Sequence, residues 1–395
     1  MQNRFPKPDF ESGYLYPEHL YTIPNQALWS TLDIAILILL MSFVAWAVIK
    51  KQIRWPVTLT SVLSVAYFGF FRNGCVCSIG AVQNVALSIT NPSLSIPLYI
   101  LLLFTLPILF SLFFGRVFCA GVCPYGALQD LVHIKNYQLS KAVAKVLGLF
   151  PWIYLGFTLL FAATNSRFIL CGFDPFVGFF RMGGEWPLIL FGLLLLLFSI
   201  FTGRPFCRFI CPYGAILSLF SRISFYRVSI TKKECTNCSL CHNACPIDVI
   251  SPPYQNRVKE SRALGINRIL RYMVFLPFMV MAGAATMYLL SDHLSRANKE
   301  VQLYEMVMHN QTNLFGNQPI EVQAFYGQGK TVEELREQVK IIKKKFRVGS
   351  LFIGASIGLF IALSLINLSV KRSRKTYQID HARCVACGRC FSYCP

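Results

Sequence analysis

Seven long apolar stretches, near residues 28–49, 55–71, 97–114, 146–163, 186–202, 269–290 and 348–370, set the terms on which this chain can fold. A helix needs about 17–25 residues to cross a hydrocarbon core. In lipid the backbone must also satisfy its own hydrogen bonds, which leaves helices as the folded form of such runs. The alternative, buried helices of a water-soluble protein, sits badly with a charged fraction of 14%, against about 25% in ordinary soluble domains. The expected fold is an all-α integral membrane protein of about seven transmembrane helices.

The charges that remain are lopsided. Lys and Arg number 38 against 18 Asp and Glu, a net +20. They stand in short runs beside apolar blocks, which fits juxtamembrane anchoring and contact with anionic lipid; no nucleic-acid partner is expected. Connections alternate in their basic content. Residues 50–54, 115–145, 203–271 and 371–395 hold 24 Lys and Arg, whereas 1–27, 72–96 and 164–186 hold 5. The positive-inside rule then puts the N-terminus outside and the C-terminus in the cytoplasm of a multi-pass protein of the cell inner membrane. Residues 1–27 carry Arg4, Lys7, Asp9, Glu11 and Glu18 with several prolines, not the apolar centre of a secretory leader.

The organisation expected is an extracytoplasmic tail (1–27), a five-helix membrane core (28–230), a first ferredoxin half-domain (231–268) and a transmembrane helix (269–290). An extracytoplasmic loop (291–347), a last transmembrane helix (348–370) and a second ferredoxin half-domain (371–395) complete it. Within the loop, Thr331 and Glu334 form a capping-box start to an amphipathic helix, read as a solvated connection or a docking surface.

Fifteen cysteines fall in metal-ligand spacings. Cys235, Cys238, Cys241 and Cys245, the last followed by Pro246, form the bacterial ferredoxin run; Cys384, Cys387, Cys390, Cys394 and Pro395 repeat it. In such runs three thiolates hold one 4Fe–4S cube and the fourth cysteine ligates the other cube. That assigns Cys235, Cys238, Cys241 and Cys394 to one cluster, and Cys384, Cys387, Cys390 and Cys245 to the second. The runs lie 149 residues apart, but the sixth apolar segment leaves the cytoplasm after the first run and the seventh returns before the second. A split cytoplasmic two-cluster ferredoxin domain is therefore expected.

The membrane core contains an internal repeat. Gly115-Arg116-Val117-Phe118-Cys119 through Cys123-Pro124-Tyr125-Gly126 recurs as Gly203-Arg204-Pro205-Phe206-Cys207 through Cys211-Pro212-Tyr213-Gly214, with a period of 88 residues. A proline at the first helical position sets Cys123 and Cys211 near helix N-termini, where the helix dipole favours thiolate and an anionic cluster. Cys119, Cys123, Cys207 and Cys211 are expected to share a third iron–sulfur cluster on a pseudo-twofold axis; the competing reading is four reduced, structural cysteines. Cys75, Cys77 and Cys171 fall near the outer face, and with Asp174 they form a further outer centre or remain thiols or a disulfide.

These paired Cys-x3-Cys-Pro repeats, with the two ferredoxin runs, resemble the membrane polyferredoxins of the NosR and NapH type, from about residue 60 to the end. The resemblance implies electron transfer across or within the membrane to an extracytoplasmic reductase or flavoprotein. The chain departs from NosR in having neither a large N-terminal flavin-binding domain nor a Ser-Gly-Ala-Thr flavinylation site, so FMN would sit on a partner. The ferredoxin pattern also stops at Pro395, where such domains ordinarily continue.

The function expected is transfer of electrons through 4Fe–4S clusters between a cytoplasmic donor and a membrane or extracytoplasmic acceptor, a flavoprotein, a reductase or another membrane subunit. The alternatives are a quinol dehydrogenase subunit and an iron–sulfur sensor or assembly factor. No catalytic residue set is visible, and His133, His293 and His309 are read as interfacial or solvated rather than quinone-binding. The charge asymmetry is testable directly: reporter fusions after residues 140 and 230 and at the C-terminus should be active in the cytoplasm, and one within 300–340 outside. A cytoplasmic 300–340 fusion would leave the two ferredoxin runs no way to meet.

Overall fold

Where backbone amides cannot turn to water they pair along the chain, and the structure is accordingly mostly helical. The computed structural model describes residues 26–74, 78–91, 96–231, 233–254, 262–312, 319–329, 331–369 and 376–393. The first part carries α1 (Gln26–Ala45), α2 (Trp55–Ser64), α3 (Ser78–Thr90), α4 (Leu98–Phe114), α5 (Pro124–Val132), α6 (Lys141–Leu147), α7 (Phe150–Ala163), α8 (Ile169–Gly172) and α9 (Pro175–Phe180). There follow α10 (Trp186–Phe201), α11 (Pro205–Phe209), α12 (Pro212–Arg222), α13 (Leu240–Ala244), α14 (Arg262–Ser295), α15 (Lys299–Thr312), α16 (Ile320–Gly327) and α17 (Val332–Ser369).

Among the described residues, four helical stretches are long and apolar enough to cross a membrane: Leu28–Lys51, Val143–Ala163, Gly265–Ser295 and Val332–Ile366. Trp55–Phe71, Leu98–Phe114 and Trp186–Phe201, the other stretches expected to span, are shorter. The 16 residues of α10 extend about 24 Å at 1.5 Å per residue, less than the roughly 30 Å of a hydrocarbon core. Asp33 on α1 is buried among these helices. It accepts from Arg72 Nη2 at 2.8 Å, Tyr67 Oη at 3.0 Å and Tyr99 Oη at 3.3 Å, so its charge is both paired and hydrogen-bonded.

The last two long helices form a hairpin whose seam is glycine. A Cβ built on Gly283 of α14 would overlap Gly354 O of α17, one on Gly354 would overlap Gly283 O, and one on Gly358 would overlap Met279 O. Gly354 and Gly358 stand four apart, the small-residue spacing that lets helix backbones touch. The hairpin leans on α7, where Trp152 stacks on Phe360 at 4.4 Å and Phe161 meets Phe346 at 5.8 Å. Here the structure differs from the expected loop followed by a span. The stripe Leu335, Val339, Ile342, Phe346 continues into the apolar stretch without a glycine or proline to break it until Gly349, and α17 runs unbroken for 38 residues. Val301, Val307, Val322, Phe325, Leu335 and Val339 close a small separate core beneath α15 and α16. Glu334 N donates to Thr331 Oγ1 at 3.3 Å, which caps the start of α17.

A short antiparallel ladder closes the other end. β1 (Ile250–Ser251) pairs with β2 (Gln378–Ile379), with Ile250 opposite Ile379 and Ser251 opposite Gln378. These strands follow one ferredoxin run and precede the other, so the hairpin and the ladder together draw the two runs into one body.

Gly354→Leu should lower the melting temperature of the detergent-solubilised protein, at a cost of about 1–3 kcal/mol for overpacking. Ser356→Ala, on the exposed side of the same turn, should melt like wild type. Equal melting of the two variants would mean that the glycine seam does not hold the hairpin.

Candidate iron–sulfur sites

The repeat builds its local structure twice. Val117 leads into a π-helical turn, Phe118–Val122, that carries Cys119; π-helical turns are uncommon and concentrate at functional sites. Pro124 opens α5 with Cys123 as N-cap, and Pro212 opens α12 with Cys211 as N-cap. The Cys211 sulfur accepts from Gly214 N at 3.3 Å, which satisfies one of the free amides of a helix start.

The four repeat cysteines converge. A Cβ on Gly126 would come 3.5 Å from Cys207 Sγ of the second repeat, and one on Gly214 would come 2.9 Å from Arg116 Nη2 of the first. The glycine of each Cys-Pro-Tyr-Gly motif thus leaves room beside the opposite repeat. Gln129 Nε2 lies 3.6 Å from Cys207 Sγ and Arg116 Nη2 lies 3.7 Å from Cys119 Sγ. Burial pushes the Cys123 thiol well up, and Cys207, Cys119 and Cys211 push it the same way. Burial likewise raises Cys207, to about 11, with Cys119 adding to it. Cys211 is raised by burial too, with Cys207 and Cys119 adding to it; thiols so placed are stable as thiolates only if positive charge is brought among them.

The second run forms an adjacent site. Cys245, Cys384, Cys387 and Cys390 line one small cleft with Val228, Ile250 and neighbouring residues. Burial raises Cys384 to about 12, and Cys387 and Cys245 add to that rise. Cys245, from the first run, therefore stands with the three near cysteines of the second. Cys235, Cys238 and Cys241 are graded differently: Cys241 is buried, Cys235 half-buried and Cys238 exposed, with Cys235 Sγ 3.5 Å from Asn237 Oδ1. Cys394, their expected companion, lies outside the described residues, as do Cys75 and Cys77. Cys171 is exposed on α8, 3.6 Å from where a Cβ on Gly80 would sit, and Asp174 accepts from Phe176 N at 2.9 Å.

A buried charge cluster joins the two thiol sites. Asp130, 7% exposed, pairs with Arg204 at 3.5 Å and with Arg389 at 3.1 Å. Arg204, 1% exposed, also donates to Cys119 O and, at 2.6 Å, to Ala120 O. Its backbone is left-handed, with φ 52° and ψ 56°, a conformation that costs a non-glycine residue about 1–3 kcal/mol. Around this cluster Asn136 Nδ2 donates to Asn243 O and Cys245 O at 2.9 and 2.8 Å, and Phe206 N donates to Gln129 Oε1 at 3.0 Å. His133 is buried, not interfacial: its Nδ1 lies 2.9 Å from Ser199 O, and burial holds its pKa below the ordinary value. His293 and His309 are exposed. Asp130, Gln129 and Asn136 carry no recognisable motif, yet Asp130 is the only acidic residue between 115 and 145, which is the signal that marks it.

The donor sets fit iron–sulfur cubes. Each thiolate of a cube binds a different iron, so the ligands line a cavity rather than meet at one point. Among the described residues no group of three Cys, His, Asp or Glu side chains converges as on a single ion.

A 4Fe-4S binding domain model matches residues 96–136 and 185–232, the two stretches that hold the Cys-x3-Cys-Pro repeats. The chain is 27% identical over 201 residues to an uncharacterized protein, MJ0750, of Methanocaldococcus jannaschii, a match spanning 48% of this chain and 81% of that one. It is 28% identical over 215 residues to the regulatory protein NosR of Stutzerimonas stutzeri, covering 48% of this chain but 29% of NosR. With the methylamine utilization ferredoxin-type protein MauN of Paracoccus denitrificans it shares 32% identity over 140 residues, 33% of this chain and 48% of MauN. No solved structure matches the chain.

Asp130→Asn removes the charge that compensates two buried guanidinium groups, and breaking such a pair costs about 3–5 kcal/mol. The loss should appear as a lower unfolding midpoint and faster trypsin cleavage at Lys233, just before the first ferredoxin run. In wild type, burial opposes the Asp130 carboxylate, but Arg204, Arg389 and Arg54 outweigh it and hold the pKa below its ordinary 3.8. A depressed pKa gives stability that is complete above the unfolded value and lost as pH falls through the folded one. Docking should therefore hold from neutrality to about pH 4 and fail only in stronger acid.

Proposed function

On the premise that this chain is a ferredoxin-type iron–sulfur protein related to NosR and MauN, with helices able to cross a membrane, we propose that it conducts electrons between a cytoplasmic donor and an acceptor at or beyond the membrane. Cys119, Cys123, Cys207 and Cys211 hold one 4Fe–4S cluster. Cys245, Cys384, Cys387 and Cys390 hold a second, and Cys235, Cys238, Cys241 and Cys394 a third. Such clusters supply one-electron carriers whose potentials follow net charge, hydrogen bonds to sulfur and exposure.

The observation that carries this reading is the adjacency of two cysteine sets, buried or half-buried, one from the membrane repeats and one from both ferredoxin runs, on either side of Arg204 and Asp130. A structural role for the cysteines would not call for eight of them around one buried charge cluster. The chain's own residues keep the path short and dry: Asn136 and Arg389 clamp the ferredoxin part onto the repeats, and Tyr125, Phe176 and Phe206 pack beside them. In this reading seven helices cross the inner membrane, the N-terminus is outside, and the two ferredoxin halves assemble in the cytoplasm after the α14–α17 hairpin returns. The acceptor is an extracytoplasmic flavoprotein or reductase, or another membrane subunit, reached through the side that carries Cys171.

Anaerobically purified protein should carry about twelve iron atoms, four for each of three cubes. Cys245→Ser should remove the cluster held mainly by residues 384–390, and Cys394→Ser the one held by 235–241, each followed by EPR of the reduced protein. If each substitution removed only its sequence-local cluster, the runs would be independent sites. Quinol added alone should leave the clusters oxidised; their reduction by quinol would make the chain a quinol dehydrogenase subunit instead.

A further inference from the structure

We propose that Arg116 and Arg204, the arginines at the same position of the two repeats, form a buried cation pair between the four-cysteine repeat site and the Cys245–Cys384–Cys387–Cys390 site, and that this pair sets the reduction potentials of both. The inference rests on the electron-carrier reading above and adds to it the residues that tune the path.

Both arginines follow the glycine of Gly-Arg-x-Phe-Cys, and both are buried. Arg116 Nη2 is 3.7 Å from Cys119 Sγ and 2.9 Å from where a Cβ on Gly214 would lie, two residues from the Cys-Pro step. Arg204 Nη1 is 3.6 Å from where a Cβ on Gly126 would lie, and that same point is 3.5 Å from Cys207 Sγ. On its other side Arg204 reaches Asp130, and Asp130 reaches Arg389, the residue before Cys390. Arg116 thus meets sulfur of the first site, and Arg204 shares its carboxylate with the arginine that precedes Cys390 of the second.

Neither Arg116 Nε nor Arg204 Nε has a hydrogen-bond partner among the described residues. Buried donors left unpaired are rare and ask for an explanation; anionic sulfur at the two sites supplies one. Arginine is also the residue that keeps its charge when buried, so the cation is permanent. Reduction of a cluster adds one electron, here from dithionite, and one unit of negative charge, with no bond or proton required. A fixed cation stabilises that reduced state and raises its potential.

The test is an EPR-monitored dithionite titration of the full-length protein and its Arg116→Gln, Arg116→Lys and Arg204→Gln variants, with iron counted in each. Arg116→Gln should retain its iron and shift the signals of both sites to lower potential. The ratio of reduced to oxidised protein at a fixed ambient potential should fall at least tenfold, about 59 mV for a one-electron couple. Arg116→Lys should recover most of the shift. If Arg204→Gln fails to fold, since Arg204 holds two carbonyls and Asp130, the Arg116 variants decide. Full iron with unmoved potentials would make the arginines structural, and a shift confined to one signal would overturn the bridging role. Wild-type protein without iron would instead overturn the electron-carrier reading, and this inference with it.

Discussion

Three charges withdrawn from water, Asp130, Arg204 and Arg389, hold the parts of this molecule together. Each would be prohibitive alone, since an unpaired ion in a protein interior costs several kcal/mol; together they are compensated and hydrogen-bonded. Asp130 comes from α5 in the first repeat, Arg204 from the second repeat, and Arg389 from the second ferredoxin run. One cluster therefore fixes the repeats to each other and both to the ferredoxin part. Its neighbours work in the same short stretch: Gln129, His133 and Asn136 reach Phe206 N, Ser199 O and Cys245 O. Neutral hydrogen bonds of that kind contribute about 0.5–1.5 kcal/mol each, those to charged groups up to about 3, so the ionic core dominates the docking.

That docking has a distant prerequisite. Cys245 and Cys384 are neighbours at one cavity although more than a hundred residues separate them, and the chain between makes a full excursion through α14 and α17. Contact across such a separation requires the two helices to lie against each other along their length. The glycines at 283, 354 and 358 permit this, because any side chain there would meet backbone. A seam of small residues near the middle of the hairpin thus determines whether a thiol from each run can reach the same cavity. β1 and β2 contribute a register but little area, being two residues each.

Much of this was legible before any coordinates, and for a physical reason in each case. Proline after cysteine has one comfortable place in a helix, its first turn, and Cys123 and Cys211 are indeed N-caps. The three-plus-one cysteine spacing called for Cys245 beside Cys384, Cys387 and Cys390, and these four line one cavity. What the sequence did not disclose was tertiary. Nothing local marks Arg389 as the partner of Asp130, since an arginine in a ferredoxin run is ordinarily a solvated cation. Hydropathy placed α10 to within a residue, 186–202 against Trp186–Phe201. It cut α17 into a loop helix and a span, however, because the charges at 343–347 look like a boundary although they are compatible with helix throughout.

The repeat is faithful where it builds the cysteine site and unfaithful where it meets the ferredoxin part. Cys, Pro, Tyr and Gly recur at 123–126 and 211–214, but Gln129 and Asp130 stand opposite Leu217 and Ser218. Leu217 is buried, and Ser218 turns back to its own helix, donating to Ala215 O at 2.7 Å. The two arginines are consequently not equivalent. Arg204 has a carboxylate at 3.5 Å, whereas among the described residues no carboxylate pairs with Arg116, whose guanidinium meets sulfur instead. A cation already matched by Asp130 has less field to offer an anionic group than one that is not. Removing Arg116 should therefore lower the potentials further than removing Arg204, even though Arg204 makes more bonds. The residue that matters most to the fold and the residue that matters most to the field are different members of one duplicated pair.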